Sequence, residues 1–412
     1  MSDSSGKTNV VVHDFSGHPF QVQLARHLAD AGYDCTHVFC DSFQTPKGEV
    51  GGADEESGFR SIALTTRKPF AKYSTRRRFV HELEYGWKAA RTIRAAKPDV
   101  VISANVPLVA AAVFQLAMLL SRVPIIFWQQ DVYSVAMESY LQRSAGRFGA
   151  LAGKTLVQLE RWLLRTSKHV VVISADFIAT MHEWKIGLEK VTVIENWAPL
   201  EELQAGSRPN PWAERHGIDD DDVVFLYAGT LGLKHQPSAL FAVAKEFADR
   251  DDVKVIVASE GLGAEWLGDA AAAEEHGDGL ITLLPFQPYE ELPDMLASAD
   301  VLMVLLESDA GTFSVPSKVL TYFCAGRAIL GAMPEVNLAS RTITTNGVGV
   351  VVPNDDDASF VQAARDLVAD KAGRQEKGRN GRAYAERTFD IDVITRRFSD
   401  LIEGVIGSRR SS

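Results

Sequence analysis

The residues of this chain best suited to chemistry sit at two strand-to-helix junctions. An apolar run from Val301 to Leu306 reads as a strand buried on both faces. Asp309, Gly311 and Ser314 then make a loop, Pro316 is preset for a first helical turn, and Gly326 stops the helix before a second apolar run, Ala328 to Leu330. In a parallel sheet such a loop lies at the carboxyl edge, where unpaired N–H groups and the positive end of the helix dipole face outward. Phosphate is the ligand for such an edge. Lys318 adds a mobile positive charge and Ser317 a hydroxyl, so Ser314, Val315, Ser317, Lys318 and Thr321 are candidate ligand contacts. A solvated lysine and a plain turn serine are the alternative reading. At the second junction the strand Val223–Ala228 runs into Gly229-Thr230-Leu-Gly232-Leu-Lys234-His-Gln-Pro237. Gly229 and Gly232 permit close backbone approach to a ligand, with Thr230 between them, while Lys234 is either a ligand charge or a surface lysine.

The elements that position these junctions alternate strand and helix along both halves of the chain. In the first half, Asn9–His13 is a strand, followed by Asp14-Phe-Ser-Gly17-His18-Pro, a helix over Gln21–Ala31 and a strand over Cys35–Phe39. This opening has no Gly-x-Gly-x-x-Gly; on pattern alone Gly17 is a turn glycine, and His18 either faces the cleft or is a solvated loop histidine. Asp99–Ser103 is a buried strand, Pro107–Ser121 an apolar helix and Pro124–Trp128 a strand ending in Gln129-Gln130-Asp131, where Asp131 is either a site residue or a helix cap. Ala145–Arg165 is a helix. A polar, helix-poor stretch to about Asp222 follows Glu195-Asn-Trp-Ala-Pro199 and marks a domain boundary. Beyond it, Val253–Ser259 leads to Glu260-Gly-Leu-Gly263, Ile281–Leu284 leads to Pro285-Phe286-Gln-Pro288, Tyr289–Ser298 is a helix, and a last helix over Val393–Ile406 has apolar spacing Val393, Phe398, Leu401 and Ile402. The expectation is an α/β chain of two facing, doubly wound Rossmann-like domains with a cleft: residues 1–198, residues 199–388, and a terminal helix 389–412 returning to the first domain.

Composition narrows the classes. With 412 residues the chain is too long for one ordinary core and fits two domains, and 46% hydrophobic with 24% charged residues describes a folded protein. A net charge of −11 argues against a nucleic-acid binder. Cys35, Cys40 and Cys324 have no metal spacing and read as free thiols of a cytoplasmic protein, the polar amino terminus reads as having no signal peptide, and the apolar stretch Leu108–Leu120, interrupted by Gln115, is too short to cross a bilayer. Arg67–Lys97 is the exception to the acidic balance, with ten basic residues, Arg76, Arg77 and Arg78 among them, against Glu82 and Glu84, interleaved with aromatics. Such a segment suits anionic lipid headgroups or a polyanionic glycan, and a solvated helix face is the plainer alternative. The acidic runs Asp219–Asp222 and Asp355–Asp357 read as solvated turns or caps, and no metal or cofactor is expected.

The run PSKVLTYFCAGRAIL resembles the donor-site helix of family 4-type GT-B glycosyltransferases, in particular the branch that builds capsule, O-antigen and colanic-acid-like polysaccharides. Many members of that family carry two glutamates eight residues apart, the second on the nucleotide ribose. Here those positions are Phe313 and Thr321, neither a carboxylate, so that role does not carry over, and Glu307 is the nearest substitute. The resemblance implies that Gly17 approaches the donor diphosphate, that Lys234 neutralises it as it leaves, and that the segment holding Phe286 reads the nucleobase. It also implies that Asp131, with Gln130 in place of the usual histidine, faces the acceptor, and that Glu260 lies at the donor edge. The expected reaction is transfer from a nucleotide diphosphate sugar, UDP before GDP, to a glycan or lipid-linked acceptor with retention of configuration, the leaving phosphate assisting acceptor deprotonation. A nucleotide-sugar epimerase on the same fold and a non-catalytic nucleotide-sugar-binding subunit are the rivals.

Overall fold

The computed structural model describes residues 7–41, 58–66, 75–204, 206–232, 235–274, 279–307 and 317–410. Lys234, Ser314, Val315, the residues from Arg67 to Ser74 and the side chain of Arg76 lie outside what is described. The chain forms two compact units, Met1–Asn196 with Ile391–Ser412, and Trp197–Asp390.

The first unit runs β1 (Asn9–Asp14), α1 (Pro19–Asp30), β2 (Asp34–Cys40), β3 (Phe59–Leu64), α2 (Thr75–Ala96), β4 (Val100–Ala104), α3 (Leu108–Leu120), β5 (Ile125–Gln129), α4 (Tyr133–Thr166), β6 (His169–Val172), α5 (Phe177–Glu183) and β7 (Val191–Val193). Its sheet is parallel, in the order β3-β2-β1-β4-β5-β6-β7, with Val11 opposite both Thr36 and Val101. Central strands of a sheet covered on both faces must be apolar throughout, which is why β4 reads VVISA with every residue buried. On one face Val11, Val101 and Ile125 meet Tyr85, Ile93, Phe114 and Met118 from α2 and α3. Gln115, the polar break in α3, is buried and donates to Leu163 O at 2.6 Å, so it ties α3 to the end of α4.

The second unit runs α6 (Pro211–Arg215), β8 (Val223–Ala228), α7 (Ser238–Glu246), β9 (Val253–Ala258), α8 (Leu262–Ala272), β10 (Thr282–Leu284), α9 (Leu292–Ala297), β11 (Val301–Leu305), α10 (Ser317–Ala325), β12 (Ala328–Ala332), α11 (Leu338–Thr345), β13 (Gly349–Val352), α12 (Asp357–Ala369) and α13 (Lys371–Thr388). Its sheet is also parallel, in the order β10-β9-β8-β11-β12-β13. Phe225, Met303, Leu330, Leu240 and Phe360 are among the residues of its core. The last helix, α14 (Ile391–Arg410), belongs to the first unit, where Phe398 meets Trp128 with ring centroids 5.0 Å apart.

Some expected elements differ from the observed ones. Helix α4 begins at Tyr133, not near Ala145, because Glu160 accepts a hydrogen bond from Ser134 N at 2.9 Å and holds the early turns, while Gly146 sits inside the helix at φ 52°, a local break that reads as a start. The helix-poor stretch before Asp222 holds one short helix, α6, which Asn210 caps by accepting from Ala213 N at 2.9 Å. Tyr289–Glu291 is a separate 3-10 turn before α9, since Pro293 supplies no N–H to continue a helical ladder through that point. In α14 it is Ile394, not the 42%-exposed Val393, that is buried, because Ile391, Ile394, Phe398, Ile402 and Val405 fall three or four residues apart on one face.

Candidate functional site

Each sheet reverses its winding once, between β1 and β4 in the first unit and between β8 and β11 in the second. Loops leaving neighbouring strands in opposite directions open a crevice at the carboxyl edge, and a ligand of a doubly wound sheet binds there.

At the second unit's reversal, α10 delivers Lys318. Its Nζ lies 3.9 Å from the centroid of the Tyr227 ring, at the end of β8, and 3.2 Å from where a Cβ on Gly229 would stand. Gly229 has φ 113°, which a side chain would strain, so glycine is required here both for the turn and for the lysine's room. Neighbouring hydroxyls are engaged: Tyr227 donates to Thr230 O at 2.9 Å, and the Tyr322 hydroxyl lies 3.1 Å from Ala228 N and 3.3 Å from Ala228 O. Burial lowers the Lys318 pKa from 10.5 to about 7. The site thus holds a cation that is incompletely paid for by its surroundings, the condition for gripping an anion.

The loops around it are tied together. Gly232 N donates to His235 Nδ1 at 2.9 Å, and His235 Nε2 stands 3.4 Å from Glu307 Oε1, so the loop after β8 is linked to the end of β11 across the reversal. Leu231 N donates to Glu260 O at 3.2 Å and Gly263 N to Leu231 O at 3.0 Å, joining the loops after β8 and β9. Gly261, at φ 118°, has no room for a side chain, since a Cβ would meet Leu231 O at 2.8 Å.

Of the expected donor residues, Gly229, Thr230 and Lys318 converge at this reversal, with Ser317 exposed at the first position of α10 and Thr321 half-buried one turn on. Glu260 is exposed, and its carbonyl, through Leu231, is what takes part. Phe286 is half-buried beyond edge strand β10, two strands from the reversal. Glu307 is paired with His235.

The first unit's reversal carries a constellation in which sequence reading had singled out Gly17 and His18 but not Asp14. Asp14, fully buried at the end of β1, accepts from Ser16 N at 3.0 Å and His18 N at 2.5 Å, and its Oδ1 lies 3.3 Å from His18 Nδ1. Gly17 makes the turn at φ 72° that brings His18 back. The signal was an aspartate closing a strand four residues before a histidine, with Ser-Gly between. Below them His13 is a core histidine, held neutral by burial at about 3, its Nε2 3.0 Å from the Tyr85 hydroxyl.

Gln130 and Asp131 follow β5. Gln130 is buried and its Oε1 accepts from Asn196 Nδ2 at 2.6 Å, while Asp131 is exposed. The preceding Gln129 donates to Glu160 at 2.7 Å, and burial raises the Glu160 pKa against its hydrogen bonds from Ser134 and Gln129. On α2, Arg77 is exposed, but Arg78 is engaged, donating to Glu82 and to the Tyr133 hydroxyl at 2.7 Å each. Arg78 thereby ties α2 to α4. Beside it the helix exposes Phe79, Leu83 and Trp87, four residues apart and so on one face, with Arg91 over the Trp87 ring at 5.7 Å. Among the described residues no three His, Cys, Asp or Glu side chains converge as a metal set, and no helix is long and apolar enough to cross a membrane.

The fold alone names no reaction, but both Rossmann-like units match known families. Residues 18–197 match the family described as Glycosyl transferase 4-like domain, and residues 210–384 the family described as Glycosyl transferases group 1. The chain belongs to these glycosyltransferases. It is 25% identical over 314 residues, 76% of this chain and 75% of the other, to WcaI of Escherichia coli (strain K12), named as a colanic acid biosynthesis glycosyl transferase. Its fold is similar to that of sucrose-phosphate synthase from Thermosynechococcus elongatus, with a TM-score of 0.73, 15% identity and coverage of 98% of this chain and 100% of that one. HepE of Anabaena, solved with UDP and glucose, gives a TM-score of 0.69 at 14% identity, covering 96% of this chain and 100% of that one. At such identities the structures establish the GT-B fold of paired Rossmann-like domains.

Proposed function

We propose that this glycosyltransferase moves a sugar from a nucleotide diphosphate donor, UDP before GDP, to a glycan or lipid-linked acceptor in cell-surface polysaccharide synthesis, with retention of configuration. The observation that carries the donor assignment is Lys318, half-buried against Tyr227 and Gly229 at the second unit's reversal. A buried amine at a strand-to-helix edge is what a departing diphosphate requires, because its charge is worth most where water is scarce. The UDP bound by HepE and the pathway named for WcaI support the choice of donor and product class. Lys234 is assigned to the same diphosphate, and Asp131 and Gln130 to the acceptor side. The charge on the leaving group is met by amines and backbone N–H groups, and the reaction is assigned no metal.

The exposed Phe79, Leu83 and Trp87 of α2, flanked by Arg77, Arg91 and Arg94, support a peripheral seat on an anionic membrane at the cytoplasmic face, where a lipid-linked acceptor resides. Calorimetric titration of UDP, GDP and ADP into the protein and its Lys318→Ala variant tests the donor reading. Selective binding of one nucleotide, lost in the variant, is the expected result, and no binding to any by the folded protein refutes it. Sugar interconversion without an acceptor would turn the assignment to an epimerase, and binding without transfer to any acceptor would turn it to a binding subunit.

A further inference from the structure

The reading of the chain as a glycosyltransferase leaves one well-built cluster unused, the Asp14–His18 pair at the first unit's reversal. Asp14 is completely buried, yet it is surrounded by donors: Ser16 N, His18 N, His18 Nδ1 and, in the orientation that satisfies its neighbours, the Gln21 amide nitrogen at 2.7 and 3.0 Å from the two carboxylate oxygens. Burial alone would raise the Asp14 pKa, but the charge and hydrogen bonds of His18 outweigh it and the carboxyl stays below its usual value. A carboxylate fixed in this way holds the proton of His18 on Nδ1. The other ring nitrogen, Nε2, is left as an acceptor, on a side chain that is 32% exposed. Asn105, in the loop after β4 on the other side of the reversal, stands 3.4 Å from Nδ1, and Phe20 flanks the ring with centroids 5.6 Å apart.

We propose that His18, oriented by Asp14, is the residue that positions the acceptor: its neutral Nε2 accepts a hydrogen bond from the attacking hydroxyl. This rests on the glycosyl-transfer reading and gives that reaction its acceptor contact within the first unit. The chemistry depends on which partner donates. When Nε2 accepts the hydroxyl hydrogen, an oxygen lone pair is free to bond to the anomeric carbon; the bond from that carbon to the diphosphate breaks, its electron pair leaves on the diphosphate, and the hydroxyl proton passes to Nε2. When the ring is an imidazolium, Nε2–H donates to that lone pair and ties it up. Asp14 acts only through His18, as a positioning carboxylate in the manner of the third member of a catalytic triad.

The consequence is a pH dependence of known sign. Burial disfavours the imidazolium, but the Asp14 carboxylate, its hydrogen bond and the charge of Asp131 favour it more, so the His18 pKa lies above 6.5. The groups facing the ring are Asp14 from β1, Asp131 after β5, and the neutral Gln21 of α1 and Asn105 after β4. His37 of β2, which acts on Asp14, is neutral, with burial lowering it to about 4. Acceptor use therefore rises with pH through a value above 6.5 as His18 loses its proton.

The test follows transfer from UDP-glucose to a panel of p-nitrophenyl glycosides between pH 5.5 and 8.5 for the wild type, His18→Gln and His18→Ala, with UDP binding measured in parallel. Glutamine places an amide oxygen near the position of Nε2 but does not titrate. The expected result is an acid limb above pH 6.5 in the wild-type kcat/KM for acceptor, its disappearance in the glutamine variant with activity partly kept, and a fall of about 100-fold in the alanine variant, while all three bind UDP alike. An acid limb unchanged in His18→Gln, or a His18 Cε1 proton resonance that titrates at or below 6.5 in the full chain, overturns the proposal. Failure of the wild type to bind UDP marks instead a failure of the donor reading.

Discussion

If Lys318 grips the donor, its proton and the diphosphate must arrive together. In the free protein burial holds the amine at about 7, so at pH 7 about half of the molecules carry the charge. A bound diphosphate favours the ammonium form and returns the pKa toward the ordinary 10.5. The bound state then holds more protons than the free state, so affinity falls as pH rises above 7 and levels off near the bound-state value. Between pH 7 and 8 the charged fraction of free protein drops from about one half to about one tenth, which weakens UDP binding about fivefold, or about 1 kcal/mol. The terminal phosphate itself ionises near pH 6 and is almost fully charged across this range. Calorimetry at pH 8 in two buffers of different ionisation enthalpy should show uptake of about 0.9 proton per UDP bound. An affinity that is flat from pH 7 to 9, with no proton taken up, refutes the assignment. The same lysine costs stability when no ligand is present: the unfolded chain binds its proton up to about 10.5 and the folded one only to about 7, so the penalty is full below 7 and fades as pH rises toward 10.5. Lys318→Met should accordingly raise the melting temperature at pH 7 while abolishing UDP binding, by roughly 2–4 °C for each kcal/mol relieved.

Gly229→Ala should strain the turn at φ 113° and press a Cβ to 3.2 Å from the lysine amine, weakening UDP binding at least about tenfold while lowering stability by about 1–3 kcal/mol, read by calorimetry and thermal unfolding. Replacing Phe79, Leu83 and Trp87 together by serine should lower the melting temperature only modestly, because each side chain is already more than a third exposed, and abolish sedimentation with vesicles containing phosphatidylglycerol. Sedimentation unchanged by the triple substitution would refute the membrane seat. Transfer should survive dialysis against EDTA, and a loss restored by one divalent cation would refute a metal-free reaction.

The fold was legible wherever a strand is buried on both faces. Runs such as VLMVL in β11 and VVISA in β4 admit little else, and the alternation with helices then dictates parallel, doubly wound sheets. What escaped notice were elements whose stability comes from neighbours. Strand β3, FRSIAL, is an edge with only Phe59 and Leu64 of its six residues buried, and α13 is polar over most of its surface. That helix is anchored by single contacts such as Arg382 donating to Leu203 O and Cys324 O, which no local pattern announces.

The same division holds at the site, and it explains why Lys318 behaves as it does. Its place after Pro316-Ser317 made it legible, because a helix start is a local event. The partners His235 with Glu307 and Gln130 with Asn196 were not, since each joins residues more than sixty positions apart. The two departures from the family pattern, Phe313 and Thr321, were visible as lost carboxylates, but their physical consequence needed the fold. Burial is the whole cause of the lowered Lys318 pKa, with no carboxylate of the described residues offsetting it. With a glutamate in place of half-buried Thr321, one turn away on α10, the amine would have had a counter-charge of its own and would have kept its proton at all working pH values. If Lys318 holds the donor as proposed, the donor brings the counter-charge, and threonine at position 321 then couples nucleotide binding to pH. Thr321→Glu should therefore raise the Lys318 pKa and flatten the pH dependence of UDP affinity.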